Sequence, residues 1–482
     1  MIQIKPISKT DTDVLVIGAG PAGSALAAHL AAADVDVVLA DASDFPRDKV
    51  CGDFVGPIAI NELEGLGVTD EPGFREAQRI NRAGLFLNGK QMVEESMPDS
   101  SGNANYGKVI QRISLDHWIH LAARRKGTSF LSDKRFKSYE RFPGGIKAHF
   151  TNGDAITAKV LVGADGSNST VGRQFYGRKN STDNQIIAIR AYYTGTRGPA
   201  DRADLLFSEN SFPGYTWFFP TGPQTANVGI GMVQKTLPEA EDHLKDILED
   251  LAMNDEALRS RLKGAKMTGK IKGWPLATFD ERLPLTGDRL LLIGDAAGLI
   301  NSLNGEGIQY ALLSSRWAAE TIVKGLREVD FSAGQMASYE DRLRRELRFD
   351  MALSNMVKQF IRNRSLNPLW MEMLKVLSQR ASQDREYASK AGGVLAGIYP
   401  ANEVLKPTFM GKTFLQGLVH FGMNTAEMAI GENFEQAGLH HELQRNLKLM
   451  QEHPQAYGRW INDLVRQGSE LGQNIFSDTF SI

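Results

Sequence analysis

The chain contains 482 residues, which exceeds what one hydrophobic core ordinarily supports, so we expect two or three structural units. Its 55 basic and 57 acidic residues give a net charge of −2, which argues against a protein built around a broad nucleic-acid-binding surface. One cysteine cannot form an internal disulfide, and no apolar run reaches the ~20 residues that a membrane-spanning helix needs. We therefore expect a cytoplasmic protein that is soluble or lies at most on a membrane surface.

The first predicted elements form a strand–turn–helix–strand unit over residues 13–41. The strand DVLVI is followed by the turn GAGPAG with Gly18, Gly20 and Gly23, then by a helix rich in small residues and by the strand VDVVLAD. Glycines at this spacing permit a tight turn and a close approach of the backbone to a pyrophosphate. Asp41 lies 18 positions after Gly23, near the ~20 expected of an acid that binds a ribose. The unit predicts a dinucleotide site.

Two further strand-to-turn motifs follow, KVLVGADGSNSTVGR at residues 159–173 and DRLLLIGDAAGLINSLNGEGIQYAL at residues 288–312. An aspartate at the end of a strand can bind ribityl or ribose hydroxyls. A glycine-rich turn that leads into a helix N-terminus can face a pyrophosphate or the electron-rich end of a flavin ring. The candidate cofactor-binding residues of the two motifs are Asp165, Gly294, Asp295, Gly305 and Gly307.

The three motifs, in this order, resemble the FAD-binding set of the para-hydroxybenzoate-hydroxylase-like flavoproteins. The resemblance implies that the cofactor is FAD and that Arg112, in VIQRISLDHWI, contacts it. No second GxGxxG follows a strand, so we expect no dedicated nicotinamide domain. Electrons would then come from NAD(P)H that docks transiently or from another protein.

The same resemblance implies an α/β fold with three parts: a Rossmann-like FAD-binding domain, a sheet-rich substrate domain interleaved with it, and a helical C-terminal extension. The expected FAD-binding segments are 10–75, 111–180 and 276–340, the substrate-domain segments are 76–110 and 181–275, and the helical C-terminal domain is 341–482.

Within the substrate domain, Thr236 and Glu239 match a capping box, with Pro238 early in the helix that this pattern predicts. Leucines and an isoleucine at helical spacing follow, and we expect them in a core: Leu244, Ile247, Leu248 and Leu251. In the C-terminal extension, recurring methionines suit either a wide apolar tunnel or an ordinary core: Met351, Met356, Met371, Met373, Met410, Met423 and Met428.

The stretch FPRDKVCGDFVGP contains Cys51, the only cysteine, and YTWFFPTG contains Tyr215 and Trp217. Both stretches resemble signatures of the geranylgeranyl reductase family, as does GEGI at residues 305–308. The resemblance implies that Cys51 lies near the substrate side of the flavin, where it could donate a proton, tune the flavin covalently or simply pack. Asp53 is a second candidate proton source, or else a turn residue.

Tyr215, Trp217 and Phe219 alternate along a predicted strand, so they share one face, and Phe218 lies on the other. That face is either an apolar wall over the flavin, against which a hydrophobic substrate lies, or the core of a sheet. We treat Cys51, Asp53, Tyr215 and Trp217 as the candidate catalytic residues.

Members of the geranylgeranyl reductase family transfer hydride from reduced flavin to C=C bonds of prenyl chains. The sequence favours this reaction, with a hydrophobic small molecule or lipid as substrate. The alternative is a single-component flavin monooxygenase that hydroxylates or epoxidises a hydrophobic or aromatic metabolite. A protein that binds FAD structurally or carries electrons also stays open. The nine histidines show no metal-binding spacing, and Arg82 lies where a halogenase of this fold would need lysine.

Overall fold

The computed structural model describes residues 11–97, 102, 104–177, 185–239, 243–395, 397, 399–406, 409 and 438–480. Its helices are α1 Pro21–Ala31, α2 Pro57–Gly65, α3 Pro72–Glu76, α4 Arg112–Arg125, α5 Thr170–Tyr176, α6 Leu244–Asn254, α7 Glu256–Leu262, α8 Ile308–Glu328, α9 Ala333–Ile361, α10 Asn367–Gln383, α11 Arg385–Leu395, α12 Asn402–Leu405, α13 Gly438–Glu452 and α14 Pro454–Phe480.

An eight-stranded sheet forms the first layer, with the strand order β17-β18-β11-β1-β2-β8; β10 pairs with β11, and β9 pairs with β10. The strands are β1 Asp11–Ile17, β2 Val37–Ala40, β8 Ser129–Leu131, β9 Phe136–Phe142, β10 Gly145–Phe150, β11 Ala155–Gly163, β17 Thr286–Gly287 and β18 Leu290–Leu292. The central strands pair in parallel and read as continuous apolar runs, because helices cover the sheet. Helix α1 packs against both α4 and α8.

A seven-stranded sheet forms the second layer, in the order β16-β12-β15-β14-β13-β5-β6, and a three-stranded sheet has the order β3-β7-β4. Their strands are β3 Phe54–Val55, β4 Gln78–Ile80, β5 Arg82–Leu87, β6 Lys90–Ser96, β7 Gly107–Val109, β12 Gln185–Thr194, β13 Arg202–Phe207, β14 Gly214–Gly222, β15 Thr225–Val233 and β16 Lys266–Ala277. The chain therefore leaves the parallel sheet twice and returns twice. This interleaving confirms the predicted fold class.

The helix predicted from the Thr236–Glu239 pattern is wrong in its starting point. Helix α6 begins at Leu244, after the extended residue His243. The Thr236 hydroxyl donates to the carbonyl of Pro238 at 2.8 Å, so the side chain closes a local turn and does not cap a helix. The predicted apolar stripe is confirmed, because Ile247, Leu248 and Leu251 are buried against the seven-stranded sheet and Leu244 packs beside them.

The described part of the C-terminal region is largely helical, from α9 to α14. Helix α9 crosses the expected boundary between residues 340 and 341, and its first half packs against α8. Met351 and Met371 are buried and Met356 is packed in a cluster, whereas Met373 is 48% exposed. Met410, Met423 and Met428 lie outside the described residues. The division of the chain into domains stays a prediction.

Candidate active site

A cavity of about 680 Å³ lies where the parallel sheet, the seven-stranded sheet and the C-terminal helices meet. Its volume falls in the range of cofactor and ligand pockets. The structure brings nine of the predicted site residues to its wall: Gly20, Cys51, Asp53, Arg112, Tyr215, Trp217, Asp295, Gly305 and Gly307. The other five predicted residues lie outside the wall: Gly18, Gly23, Asp41, Asp165 and Gly294.

The glycines of the first motif have two different roles. A Cβ on Gly18, where φ is +100°, would lie 2.3 Å from the carbonyl oxygen of Ala164, and one on Gly23 would lie 1.8 Å from the carbonyl oxygen of Gly18. These two positions must be glycine for the turn to pack. Gly20 has open space on its Cβ side, with the Arg47 guanidinium 3.6 Å away. It therefore leaves room for a phosphate beside the N-terminus of α1.

The two predicted aspartates outside the wall are held by backbone amides. The Asp41 carboxylate accepts from the Ala19 amide at 2.7 Å and thus lies directly beside the glycine turn. Asp165 accepts from the amides of Thr170 and Val171 at the start of α5. This arrangement gives Asp165 a capping role, and its neighbour Gly166 lines the cavity. The assignment of both carboxylates to cofactor hydroxyls stays a prediction.

A second group of charges lies beside the cavity. Arg112 is buried and forms a two-point ion pair with Asp116, with Nε–Oδ1 and Nη2–Oδ2 distances of 2.5 and 2.9 Å. Asp295 accepts from the Ser167 hydroxyl at 3.2 Å and lies 3.6 Å from the Lys49 ammonium. These pairs fix Arg112 and Asp295 where the cavity meets the glycine turn, which suits side chains that orient a charged cofactor.

The third glycine motif leads the chain into α8. Gly294 has a φ of +55°, and a Cβ there would lie 2.7 Å from the Cβ of Ala22 in α1, so this glycine allows the two motifs to pack together. Gly305 and Gly307 line the cavity, and Gly307 is the N-cap of α8. The backbone amides at this helix end could stabilise the negative charge of a reduced flavin.

The Cys51 loop is tied to β14 and β15 by an asparagine that the sequence did not single out. Asn227 is fully buried; its Nδ2 donates to the Cys51 carbonyl at 2.8 Å and to Asp53 Oδ2 at 2.9 Å, and its Oδ1 accepts from Trp217 Nε1 at 2.9 Å. Tyr192 also donates to Asp53 Oδ2, at 2.6 Å. The signal available in the sequence was one amide side chain inside the apolar run ANVGIGMV.

Asp53 has the chemistry of a proton donor. Its side chain is fully buried, its φ is +67°, and Oδ1 has no hydrogen-bond partner among the described residues. Burial raises the pKa of Asp53 to about 6, although the hydrogen bonds from Tyr192 and Asn227 oppose this rise. An unpartnered carboxyl oxygen on the wall of an apolar cavity can transfer a proton to a bound molecule.

Cys51 is poorly suited to covalent chemistry with the flavin. Burial raises the pKa of its thiol, although Arg112 partly opposes the effect. A thiol with a raised pKa stays protonated and is a poor nucleophile, so the environment argues against a reactive thiolate.

The aromatic residues of β14 form the wall that was predicted for them. Tyr215, Trp217 and Phe219 line the cavity, with ring centroids 6.4 and 6.2 Å apart along the strand, while Phe218 is buried in the core on the other face. Gly52 lies against this wall, since a Cβ there would be 3.2 Å from the Phe219 ring. The arrangement combines the two earlier alternatives, because one face lines the cavity and the other face is core.

The C-terminal helices close the cavity on the side away from the glycine turn. The apolar residues that they contribute to its wall are Val357, Phe360, Ile361, Trp370, Met373, Leu374, Leu377 and Leu395. The tunnel interpretation of the methionines is therefore supported at Met373, whereas Met351 and Met371 are buried in the protein interior. The remaining wall is largely apolar, which suits a hydrophobic substrate.

A family of FAD binding domains matches residues 11–341. Since the match covers more than half of the 482 residues, the chain belongs to this family. The menaquinone reductase of Mycolicibacterium smegmatis is 34% identical over 331 residues, covering 66% of this chain and 77% of that protein. Digeranylgeranylglycerophospholipid reductase 2 of Methanosphaera stadtmanae is 29% identical over 347 residues, covering 68% of this chain and 82% of that protein.

Solved structures agree on the fold. A geranylgeranyl bacteriochlorophyll reductase-like protein of Thermoplasma acidophilum superposes with a TM-score of 0.62 at 21% identity, over 77% of this chain and 90% of that one. A flavin-dependent brominase superposes with a TM-score of 0.63 at 19% identity, over 80% of this chain and 94% of that one. At these identities the likeness shows the fold alone.

The protein is an FAD-dependent oxidoreductase. Within that class it is similar to the geranylgeranyl reductases, so the resemblance stated from the sequence motifs is confirmed. The prediction of FAD is confirmed as well. Within the described part of the chain, no helix combines the length and the hydropathy that crossing a membrane requires.

Proposed function

We propose that this protein reduces a C=C bond in the isoprenoid chain of a hydrophobic substrate. The observation that carries this proposal is that an FAD-binding turn, a buried acid with one unpartnered oxygen and a largely apolar aromatic wall meet at one cavity. Relatives named as reductases of menaquinone and of digeranylgeranylglycerophospholipid support the same substrate class.

The reaction needs one hydride and one proton. FAD, when bound and reduced, supplies the hydride for one carbon of the double bond. The protonated Asp53 carboxyl supplies the proton for the other carbon, so the π bond is replaced by two C–H bonds. Tyr192 and Asn227 bind one oxygen of Asp53, and the other oxygen has no hydrogen-bond partner among the described residues. The aromatic wall excludes water from the reacting bond.

Halogenation fits this site poorly. Arg82, at the position where lysine would be needed, does not line the cavity. Its guanidinium is paired with Asp201, at an Nη2–Oδ1 distance of 2.6 Å, and with Glu94. A guanidinium held in this way cannot act as a titratable amine.

The experiment that tests the proposal is an anaerobic single turnover. The purified holoenzyme is chemically reduced and mixed with an isoprenoid substrate, and the flavin absorbance and the product mass are followed. Flavin reoxidation without oxygen, with a product that has gained two hydrogen atoms, is the expected result. Turnover that begins only when oxygen is admitted, with oxygen found in the product, would instead establish a monooxygenase. Flavin that stays reduced throughout, with no product formed, would contradict both reactions.

We also propose that the electrons arrive from transiently docked NAD(P)H or from a protein donor, because the sequence lacks a second dinucleotide motif. Exposed apolar side chains on α13 and α14, including Leu447, Val465 and Phe476, support a peripheral contact with a membrane that holds the lipid substrate. Reduction by NADPH or NADH in the absence of any other protein tests the first of these proposals. Sedimentation with lipid vesicles tests the second.

A further inference from the structure

The loop that carries Cys51 and Asp53 depends on side-chain contacts for its position. It comprises residues 41–53 between β2 and β3, all of which the structure describes, and it contains no helix or strand. Asp53 ends the loop with a φ of +67°, a left-handed conformation that a residue other than glycine keeps only when its surroundings hold it. The contacts that hold this loop therefore decide where the Asp53 carboxyl lies.

Strand β12 contacts this loop at two points. Arg190 and Tyr192 are two positions apart in β12, so their side chains leave the same face of the sheet. Arg190 donates from Nη2 to both oxygens of Asp48, at 3.0 and 3.2 Å, and Tyr192 donates to Asp53 Oδ2 at 2.6 Å. Asp48 and Asp53 belong to the same stretch, FPRDKVCGDFVGP, so one strand holds both ends of the segment that contains Cys51.

Arg190 is a buried cation that Asp48 neutralises. Its guanidinium carbon lies 4.3 Å from the centroid of the Tyr192 ring, and a charge in such a position is costly unless it is paired. Lys272, at the surface, also binds Asp48, with an Nζ–Oδ2 distance of 2.7 Å. Burial acts to raise the pKa of Asp48, but the hydrogen bonds and charges of Lys272 and Arg190 outweigh it and lower this pKa. Asp48 is therefore ionised at neutral pH, and Arg190 has a permanent partner.

This ion pair lies outside the cavity but acts on an acid in the cavity wall. Asp53 lines the cavity, whereas Arg190 and Asp48 do not. The titratable and charged groups that face Asp53 are Tyr192 and Arg190 of β12, Arg112 of α4, and Cys51 of its own loop. Burial raises the pKa of Asp53 to about 6, and the positive charge of Arg190 is among the influences that oppose this rise. Because Asp48 offsets the charge of Arg190, the pair as a whole determines how strongly β12 opposes the rise.

We propose that the ion pair of Arg190 and Asp48 positions the proton donor of this enzyme: it holds the Asp53 carboxyl in the cavity wall and determines its strength as an acid. The inference rests on the proposed function, in which Asp53 protonates the substrate. Arg190 contributes a positive charge and the contact that fixes the loop, and Asp48 limits that charge. Both are positioning residues, because they act through Asp53 and do not line the cavity.

The first test titrates Asp53 in the oxidised holoenzyme without substrate. The infrared band of a protonated carboxyl group, identified by its loss in Asp53→Asn, reports the pKa of Asp53 in each variant. Arg190→Gln removes a positive charge, so this pKa should rise by about one unit. Asp48→Asn keeps an oxygen acceptor for Arg190 but removes a negative charge, so the pKa should fall by about one unit. Lys270→Gln, exposed on β16, is the matched control and should leave the pKa unchanged.

The second test separates the charge of Arg190 from its contact with the loop. Arg190→Lys keeps the charge, but an ammonium group cannot lie over the Tyr192 ring and reach both oxygens of Asp48 as the planar guanidinium does. The pKa of Asp53 in this variant should stay near the wild-type value. Anaerobic flavin reoxidation by an isoprenoid substrate should slow about tenfold, the value of one hydrogen bond.

Opposite shifts in Arg190→Gln and Asp48→Asn are the decisive result, because a loop that is merely disturbed would move the pKa of Asp53 in the same direction in both variants. Shifts of the same sign, no shift, or loss of FAD from either variant would overturn the proposal. A wild-type rate in Arg190→Lys would exclude the anchoring role. If the opposite shifts are found but wild type reduces no isoprenoid, the proposed reductase function fails while the role of the ion pair stands.

Discussion

Asp53 and Glu306 show how one apolar cavity can give two carboxyl groups different properties. Both are acids whose pKa values burial raises, but Asp53 receives two hydrogen bonds that oppose the rise. Glu306 has a second carboxyl, Asp350, nearby, which adds to it. A pKa of about 6 suits Asp53 for proton transfer, whereas a pKa of about 8 keeps Glu306 largely protonated at neutral pH.

Replacing Asp53 by asparagine should remove the proton donor. We expect the rate of flavin reoxidation by the substrate to fall roughly 10²–10⁴-fold, with FAD still bound. In wild type the rate should fall as the pH rises through about 6, because Asp53 loses its proton there. Tyr192→Phe removes a hydrogen bond that lowers this pKa, so its rate should persist to higher pH. If the Asp53→Asn variant reoxidises its flavin at the wild-type rate, Asp53 is not the proton donor.

Replacing Glu306 by glutamine should change how stability depends on pH. Between the ordinary pKa of 4.5 and about 8, the folded protein holds a proton that the unfolded chain has released. Wild-type stability therefore falls with rising pH in this window, and the variant lacks this loss. Urea unfolding near about pH 5 and near about pH 9 should show Glu306→Gln gaining stability relative to wild type at the higher pH. Glu328→Gln, at the exposed last residue of α8, should show no such gain.

At the scale of elements, the turn between β1 and α1 shows why three glycines occur within six positions. Two of them are required by contacts inside the protein, and the third faces the cavity. The same turn therefore determines both the packing of α1 on the sheet and the space left for the cofactor. Substitutions at these positions should separate folding from FAD binding.

Gly20→Ala should fold normally and bind FAD weakly. Its Cβ would meet no protein atom nearer than 3.6 Å but would occupy the open side of the turn. Gly23→Ala should lose both stability and FAD, because its Cβ would lie 1.8 Å from a backbone oxygen. Thermal unfolding of the apoprotein and titration with FAD measure the two effects separately. Equal loss of apoprotein stability in the two variants would contradict this division.

At the scale of the whole molecule, three regions remote in sequence form one cavity. The parallel sheet contributes the glycine turn, the seven-stranded sheet contributes the aromatic row, and the C-terminal helices contribute the distal apolar wall. The interleaved topology makes this possible, since each return of the chain to the parallel sheet carries strands of the second sheet over the cofactor motifs. The distal wall is thus the part that can limit the length of the substrate.

Filling the distal wall should shorten the substrate that the enzyme accepts. Leu374→Trp adds a large ring to the cavity, so we expect reduction of a C20 isoprenoid chain to fall at least about tenfold while a C10 chain is affected less. Met253→Trp, at a position 63% exposed on α6 and outside the cavity wall, is the matched control and should leave both rates unchanged. If the Leu374→Trp substitution changes the rates for both chain lengths to the same extent, the substrate does not lie against the distal wall.

The sequence by itself determined the cofactor, the fold class and the residues of the Cys51 loop and the aromatic row. The dinucleotide turn and the shared aromatic face follow from local spacing, because they depend on neighbouring residues, and the resemblance of the motifs to known families implied the other features. Only the tertiary structure decided the rest. Asn227, Tyr192 and Glu306 gain their importance from burial and from partners up to 176 positions away, such as the Cys51 carbonyl for Asn227. Burial of a polar group depends on packing across the whole chain, which local spacing cannot specify.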